Sequence, residues 1–434
     1  MAQAVIHSQA TQTTTWRDWF KITRIRVFSI VFIVAGLAML LHTPSVIDGD
    51  VVSTLRFPHR GGDLSFDLVI PVVPYAVIVG IIYVAGGLFG LFAPERYHRV
   101  KVGWMMLNGI LIIPTVMTLA AAGKATNMVS MLGASFRLAT PIIIGAMAGI
   151  WCERSGVVNV AIEGMMLTAA CFGLVAYTYV SVNNPTGVGQ VIGVGVAMLS
   201  GGVMALVHAW LSITFKTNQI ISGTVINIFA IGITAFARTE LLINADASVP
   251  TMREFSIPIL SSLPIVGEVL FIGKPIFFTM FLIVIGTHII LYYTRWGLRT
   301  RAVGENPHAA DTLGINVQRN RYINVVIGGV IAGLAGAWFT IETAGTFREA
   351  ITSGTGFIAL AAMIFGKWTP AGAMLGGLLF GFSQALDTRF QFLEVGVPVQ
   401  FVQMTPYIVT MIVLAGLVGR AVSPKAVGEP YSKE

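Results

Sequence analysis

A chain of 434 residues has room for two or three soluble domains, but 55% of these residues are apolar and only 11% are charged. Soluble domains carry about 25% charged residues, so this chain has too few to cover a water-facing surface, and its mean hydropathy of +0.79 agrees. The 27 Lys and Arg against 20 Asp and Glu lie between apolar runs rather than along one face, which suits orientation in a membrane and argues against a nucleic-acid partner.

Read in chain order, residues 1–26 form a cytoplasmic N-terminal segment. No small-residue cleavage site follows the first apolar run, so that run is an uncleaved span. A bilayer core takes roughly 20 apolar residues per helix. Apolar runs predict segments at 27–41, 68–92, 102–122, 131–150, 156–181, 188–214, 219–237, 274–294, 322–345, 354–366, 370–386 and 399–418. The first is short, although Ile22 and Ile25 extend it while Lys21 and Arg24 snorkel. The expected fold is an all-α, polytopic transmembrane bundle of about 10–12 spans. Residues 27–122 are additional N-terminal helices, 131–418 the core with a cytoplasmic loop at 295–321, and 419–434 a cytoplasmic tail.

Orientation follows from charge. With the N-terminus inside, two thirds of the 27 Lys and Arg fall on the inner side, although the inner and outer pieces are nearly equal in length. The piece 354–366 is too short to cross alone and reads as a broken or re-entrant helix. It is counted as spanning, because a hairpin there would put Arg420, Lys425 and Lys433 outside. Cys152 and Cys171 are packing residues with no disulfide or metal spacing.

Inside the longest internal loop, "GENPHAADTLG" carries helix punctuation. Asn306 can cap, Pro307 suits the first helical position, and Gly314 sits where a left-handed terminal residue belongs. A helix of one to two turns is marginal alone and needs a surface to rest on. With Arg295, Arg299, Arg301, Arg319 and Arg321 around it, the loop suits a cytoplasmic partner. A solvated connector is the bland alternative, and capping cannot name what the helix touches.

These residues carry a resemblance. "RAVGENPHAADTLGINV" resembles the cytoplasmic coupling-helix motif of ATP-binding-cassette (ABC) importer permeases of the branched-chain amino acid, ribose and nucleoside group. "SGVVNVAIEGMML" is similar to their early-helix motif, and "GTGFIALAAMIFGKWTPAGAMLGGLLFG" to their late Gly-rich segment. The likeness is greatest to the nucleoside and simple-sugar permeases, and it implies a type II-like permease fold. It also implies that Glu305, Asn306, Pro307, Ala310 and Gly314 help form the docking loop for a separate ATPase, which would bind ATP and Mg. The other implied partners are a second permease, paralogous or identical, and an external lipoprotein-type substrate-binding protein. The bacterial plasma membrane is the expected location, with both termini cytoplasmic and lipid around the spans. The Gly-Lys pairs at 123–124, 273–274 and 366–367 lack the rest of a phosphate-binding loop, so no cofactor is expected in this chain.

Ionisable or amide groups within spans normally face a cavity or a partner. Asn159 and Glu163, four residues apart on one expected helical face, and Asn227 on another span are candidates for a translocation path, with interhelical packing the competing reading. His208 reads as structural. Arg137, Glu342 and Glu349 fall near the outer side as docking contacts or interfacial anchors. Phe357 and Trp368 flank the short helix and could stack a nucleobase, although packing is favoured. Gly372, Gly376, Gly377 and Gly381 permit close helix approach. No catalytic constellation or metal set appears, so the chain reads as a transport subunit rather than an enzyme. The alternatives are a permease for ribose, simple sugars or branched-chain amino acids, an ion-coupled secondary transporter using Glu163, and a non-transporting scaffold.

Overall fold

The computed structural model describes residues 23–58, 65–242, 249–393, 404 and 422–433. The predicted span 399–418 therefore lies outside the described residues, as do residues 1–22 of the N-terminal segment. Internal contacts divide the chain into two compact units, Met1–Thr54 with Val69–Ala125 and Leu55–Leu68 with Thr126–Glu434.

The first unit holds α1 (Arg24–Val46), α2 (Val72–Phe92) and α3 (His98–Ala120). Its core is Phe32 and Met39 of α1 against Ala76, Val79 and Tyr83 of α2, with Met105 and Leu111 of α3 beside them. The span predicted from residue 68 begins only at Val72, because Phe66–Pro71 is extended strand. Pro71 holds an extended backbone (φ −67°, ψ 118°) and biases the residue before it the same way.

The second unit begins with α4 (Met128–Glu153), α5 (Ile162–Ser181), α6 (Thr186–Ala209) and α7 (Gln219–Ala237), and continues through the five-residue α8 (Val266–Leu270) to α9 (Pro275–Tyr293). Two short helices follow, α10 (Arg295–Glu305) and α11 (Pro307–Thr312), then α12 (Val317–Ala337), α13 (Thr355–Phe365) and α14 (Pro370–Phe392). The helices α6, α7 and α12 each end in wide π-type turns, at Trp210–Thr214, Arg238–Leu242 and Trp338–Ala344. Among the described residues of the whole chain, nine helices are long and apolar enough to cross a membrane, which makes this a multi-pass membrane protein.

Helix α4 is the hub of the second unit, packing on α9, α12, α13 and α14, while α5 lies among α6, α7 and α12. Close approach depends on absent side chains. A Cβ on Gly381 of α14 would meet the Ser135 carbonyl of α4, and one on Gly377 would meet the Ile143 side chain. Lipid offers no hydrophobic drive for helices to associate, so backbone proximity of this kind supplies the packing energy.

Contacts at helix ends define two faces of this unit. On one, Arg389 near the end of α14 donates to the Asn127 carbonyl before α4 (3.1 Å), and Glu342 after α12 accepts from the Ile276 N–H at the start of α9 (2.5 Å). On the other, Arg154 after α4 donates to the Trp368 carbonyl after α13 (3.0 Å), and the loop α10–α11 lies against the start of α12. The chain between Ala344 and Phe365 thus passes from the first face to the second, but only 11 of its residues are helical. At 1.5 Å per residue α13 is about 17 Å long, roughly half of a 30 Å hydrocarbon core.

Candidate functional site

The helix predicted for 156–181 starts at Ile162, which corrects the expectation that Asn159 and Glu163 share a helical face. After Glu153 the chain turns at Gly156 (φ +92°), and residues 157–161 run as non-helical backbone through the interior. The Val-rich stretch is as apolar as any span, so hydropathy cannot distinguish it from helix. Such backbone is tolerated at depth only when protein groups satisfy it.

Side chains from α6 and α7 do so. Gln219 Oε1 accepts from the Val158 N–H (2.6 Å), and Asn227 Nδ2 donates to the Val160 carbonyl (3.0 Å). His208 Nε2 lies 2.9 Å from the Val158 carbonyl and Nδ1 lies 3.0 Å from the Ser222 hydroxyl. A carbonyl only accepts, so Nε2 carries the proton and, in the neutral ring, Nδ1 accepts from Ser222. Asn159 is fully buried, its Oδ1 accepting from the Ala161 N–H (3.1 Å) and its Nδ2 donating back to Cys152 Sγ of α4 (3.2 Å). Asn227 also caps α5, because its Oδ1 accepts from the Gly164 N–H (2.8 Å).

Glu163, in the first turn of α5, reaches across to the start of α13. Its Oε1 accepts from the Thr352 hydroxyl (2.6 Å) and the Gly354 N–H (2.9 Å), and its Oε2 from the Gly356 N–H (2.6 Å). The first N–H groups of a helix lack intrahelical acceptors and carry its positive end, so a carboxylate there is both acceptor and counter-charge. This cap holds one end of α13 and the Arg154–Trp368 contact lies past the other, about 17 Å along the helix.

Above the cap opens a cavity of about 500 Å³. Its polar lining residues are Thr343, Thr346, Arg348, Thr352, Ser353, Thr355 and Gln384, with the Thr352 and Thr355 hydroxyls already bonded to Glu163 and to the Thr352 carbonyl. Trp338 and Phe339, edge to face with centroids 5.0 Å apart, line it as well. The approach to α13 is conformationally tight, with Ala350 (φ +51°) and Ser353 (φ +47°) in the left-handed region, where residues with side chains are uncommon. The volume falls within the range of about 300–1,000 Å³ usual for small-molecule sites. Donors and acceptors over much of the wall and two aromatic rings suit a hydroxylated solute carrying a flat apolar part.

The candidates from the sequence divide in two around this cavity. Glu163 reaches it through Thr352, whereas Asn159 and Asn227 support the backbone behind it. Phe357 lies outside the cavity lining and is half exposed. Trp368 is buried and donates to Glu153 Oε2 (2.6 Å), a packing contact. Glu342 caps α9, and Glu349 pairs with Arg238 at 2.8 Å on the exposed surface. The lining residues themselves were missed, although the polar run 343–355 between two apolar segments was the available signal.

The predicted docking helix forms as α11. Asn306 Oδ1 accepts from the Ala309 N–H (3.0 Å), Pro307 takes the first helical position, and Gly314 turns left-handed at φ +79°. Pro307 and Ala310 are buried, while Glu305, Asn306, His308 and Leu313 are exposed. The preceding α10 was not predicted, because its Arg-rich sequence reads as connector. Thr294 Oγ1 caps it by accepting from the Gly297 N–H (3.2 Å), and Trp296 Nε1 ties it to Asn324 of α12 (3.2 Å).

The family model described as "Branched-chain amino acid transport system / permease component" matches residues 131–423. The chain belongs to this permease family. It is similar to the guanosine ABC transporter permease protein NupQ of Bacillus subtilis, with 39% identity over 68% of this chain and 94% of that protein. It is also similar to the nucleoside ABC transporter permease protein NupC of Lactococcus lactis, with 36% identity over 68% of this chain and 94% of the relative. No solved structure matches. As an ABC importer permease the chain is a transport subunit, not an enzyme, and it works with an ATPase and a substrate-binding protein. The family match leaves residues 1–130, including α1–α3, outside it.

Proposed function

We propose that this permease passes nucleosides inward across the bacterial plasma membrane, through the cavity above α13. The observation that carries the reading is that cavity, whose hydroxyl, amide and guanidinium groups suit a ribose and whose two aromatic side chains suit a base. The nucleoside and guanosine permeases to which the chain is similar support it. A lipoprotein-type binding protein delivers solute to the cavity side. On the opposite, cytoplasmic face, Glu305, Asn306, Pro307, Ala310 and Gly314 present α11 to an ATPase that binds ATP and Mg. Both chain termini are cytoplasmic in this reading, and a second permease, paralogous or identical, completes the pathway. Residues 131–418 form the transport core, with 27–122 an addition to it.

The test is uptake into proteoliposomes holding the complete importer, with labelled guanosine, uridine, ribose, glucose and leucine compared. Saturable, ATP-dependent nucleoside uptake that survives an uncoupler is expected. Transport of ribose, glucose or leucine with no nucleoside uptake would reassign the solute, and accumulation without ATP would remove the ABC mechanism.

A further inference from the structure

The tail predicted as cytoplasmic, 419–434, is described over residues 422–433, which fold onto the α10–α11 face with Pro424, Ala426 and Tyr431 buried. The Ala426 N–H donates to the Gly304 carbonyl at the end of α10 (2.9 Å), and the Gly428 N–H to the Gly156 carbonyl in the turn after α4 (3.2 Å). Tyr431 packs with Val303 of α10, Ala310 of α11 and Val317 of α12, and its ring lies 5.3 Å from that of His308. The two glycines of the tail-to-turn bond are both left-handed, Gly156 at φ +92° and Gly428 at φ +83°, a conformation open to glycine without penalty.

Arg321 of α12 completes the joint. Its side chain is 1% exposed, and it donates Nε to the Ser155 carbonyl (3.2 Å) and Nη1 to the Glu429 carbonyl (2.9 Å). One buried guanidinium therefore bridges the turn after α4 and the tail. A Cβ on Gly156 would come within 2.8 Å of Arg321 Nη2, so only glycine leaves room for this bridge.

Two carbonyl-bound backbone N–H groups, one buried cation and one buried aromatic ring thus tie the docking loop to the turn that begins the segment 157–161. That segment leads through Val160 and Gly164, both held by Asn227, to Glu163 and the cap under the cavity. We propose that residues 424–431, together with Arg321, are a positioning strap that carries movement of α11 to the turn after α4 and so couples ATP hydrolysis to solute movement. This inference rests on the importer reading. The strap lies outside the cavity lining; it borders one groove with Glu305, Asn306, Pro307 and His308 and keeps the loop and the turn moving as one body.

The test uses the complete importer in proteoliposomes, reading ATPase co-purification, hydrolysis rate and solute moved per ATP. A chain ending after Val422 is expected to retain the ATPase and to hydrolyse ATP, with solute per ATP lowered at least fivefold. Tyr431→Ala should lower the ratio severalfold and Tyr431→Phe should restore it. A ratio within twofold of wild type in the shortened chain, or hydrolysis and uptake falling in equal proportion, would overturn the strap. Should the shortened chain fail to insert, Gly428→Ala and Tyr431→Ala are judged by the same two criteria. Failure of the importer reading looks different, because wild-type uptake would then proceed without ATP.

Discussion

Replacing Glu163 by glutamine is the sharpest probe of the cap beneath the cavity. The carboxylate accepts three hydrogen bonds, from the Thr352 hydroxyl and the Gly354 and Gly356 N–H groups. A glutamine carbonyl can keep the two on the Oε1 side, but its NH₂ then faces the Gly356 N–H donor to donor. One unpaired buried N–H costs about 1–3 kcal/mol, and losing the negative charge at a helix N-terminus costs about 0.3–1 kcal/mol more. Glu163 is part-buried, so water recovers some of this and a net figure of about 1.5 kcal/mol is reasonable, or roughly tenfold. The reconstituted Glu163→Gln importer should therefore show about tenfold weaker solute-dependent uptake and a lower Tm of the permease, while ATPase binding is unchanged. Glu163→Ala, which leaves all three donors without their acceptor, should be worse in both measurements. Unchanged uptake and unchanged Tm in Glu163→Gln would refute the cap. An uncoupler that abolished wild-type uptake would favour ion carriage by this residue instead.

Asn227→Ala leaves the Gly164 N–H and the Val160 carbonyl unpaired, so Tm should fall by the equivalent of about 2–4 kcal/mol. A weakened solute affinity at unchanged Tm would instead make Asn227 a lining residue. Arg348→Ala and Gln384→Ala, which trim the cavity wall, should raise the half-saturating solute concentration severalfold with normal expression and assembly, measured by uptake and size-exclusion chromatography. Asn306→Ala removes the α11 cap, worth about 1 kcal/mol in a six-residue helix, and should lower solute moved per ATP without loss of insertion. Gly381→Leu drives a side chain into the Ser135 carbonyl and Ala139, and should abolish recovery of folded protein from the membrane fraction.

Local signals were readable in the sequence and distant ones were not. The α11 cap, its proline and its terminal glycine are consecutive choices with backbone consequences, so they could be placed before any coordinates. The start of α5 could not, because the bonds that hold residues 157–161 open come from His208, Gln219 and Asn227, roughly 50–70 positions along the chain. Periodicity sees only neighbours. Similarly, α10 is held by Asn324 of α12, a partner that lies beyond the loop itself. Glu163 was singled out for being ionisable among apolar residues. Its use as the cap of another helix depends on where α13 begins, which the turn at Thr352–Gly354 decides.

That α13 is half a helix has a consequence for sealing. The stretch before it has no continuous helical ladder, so its peptide groups bond within turns and to polar neighbours such as Glu163. On the proposed pathway, the barrier left to cross is the remaining half-thickness, where α4, α13 and α14 pack together. A gate about 17 Å deep has far less to part than one running the whole width of the bilayer.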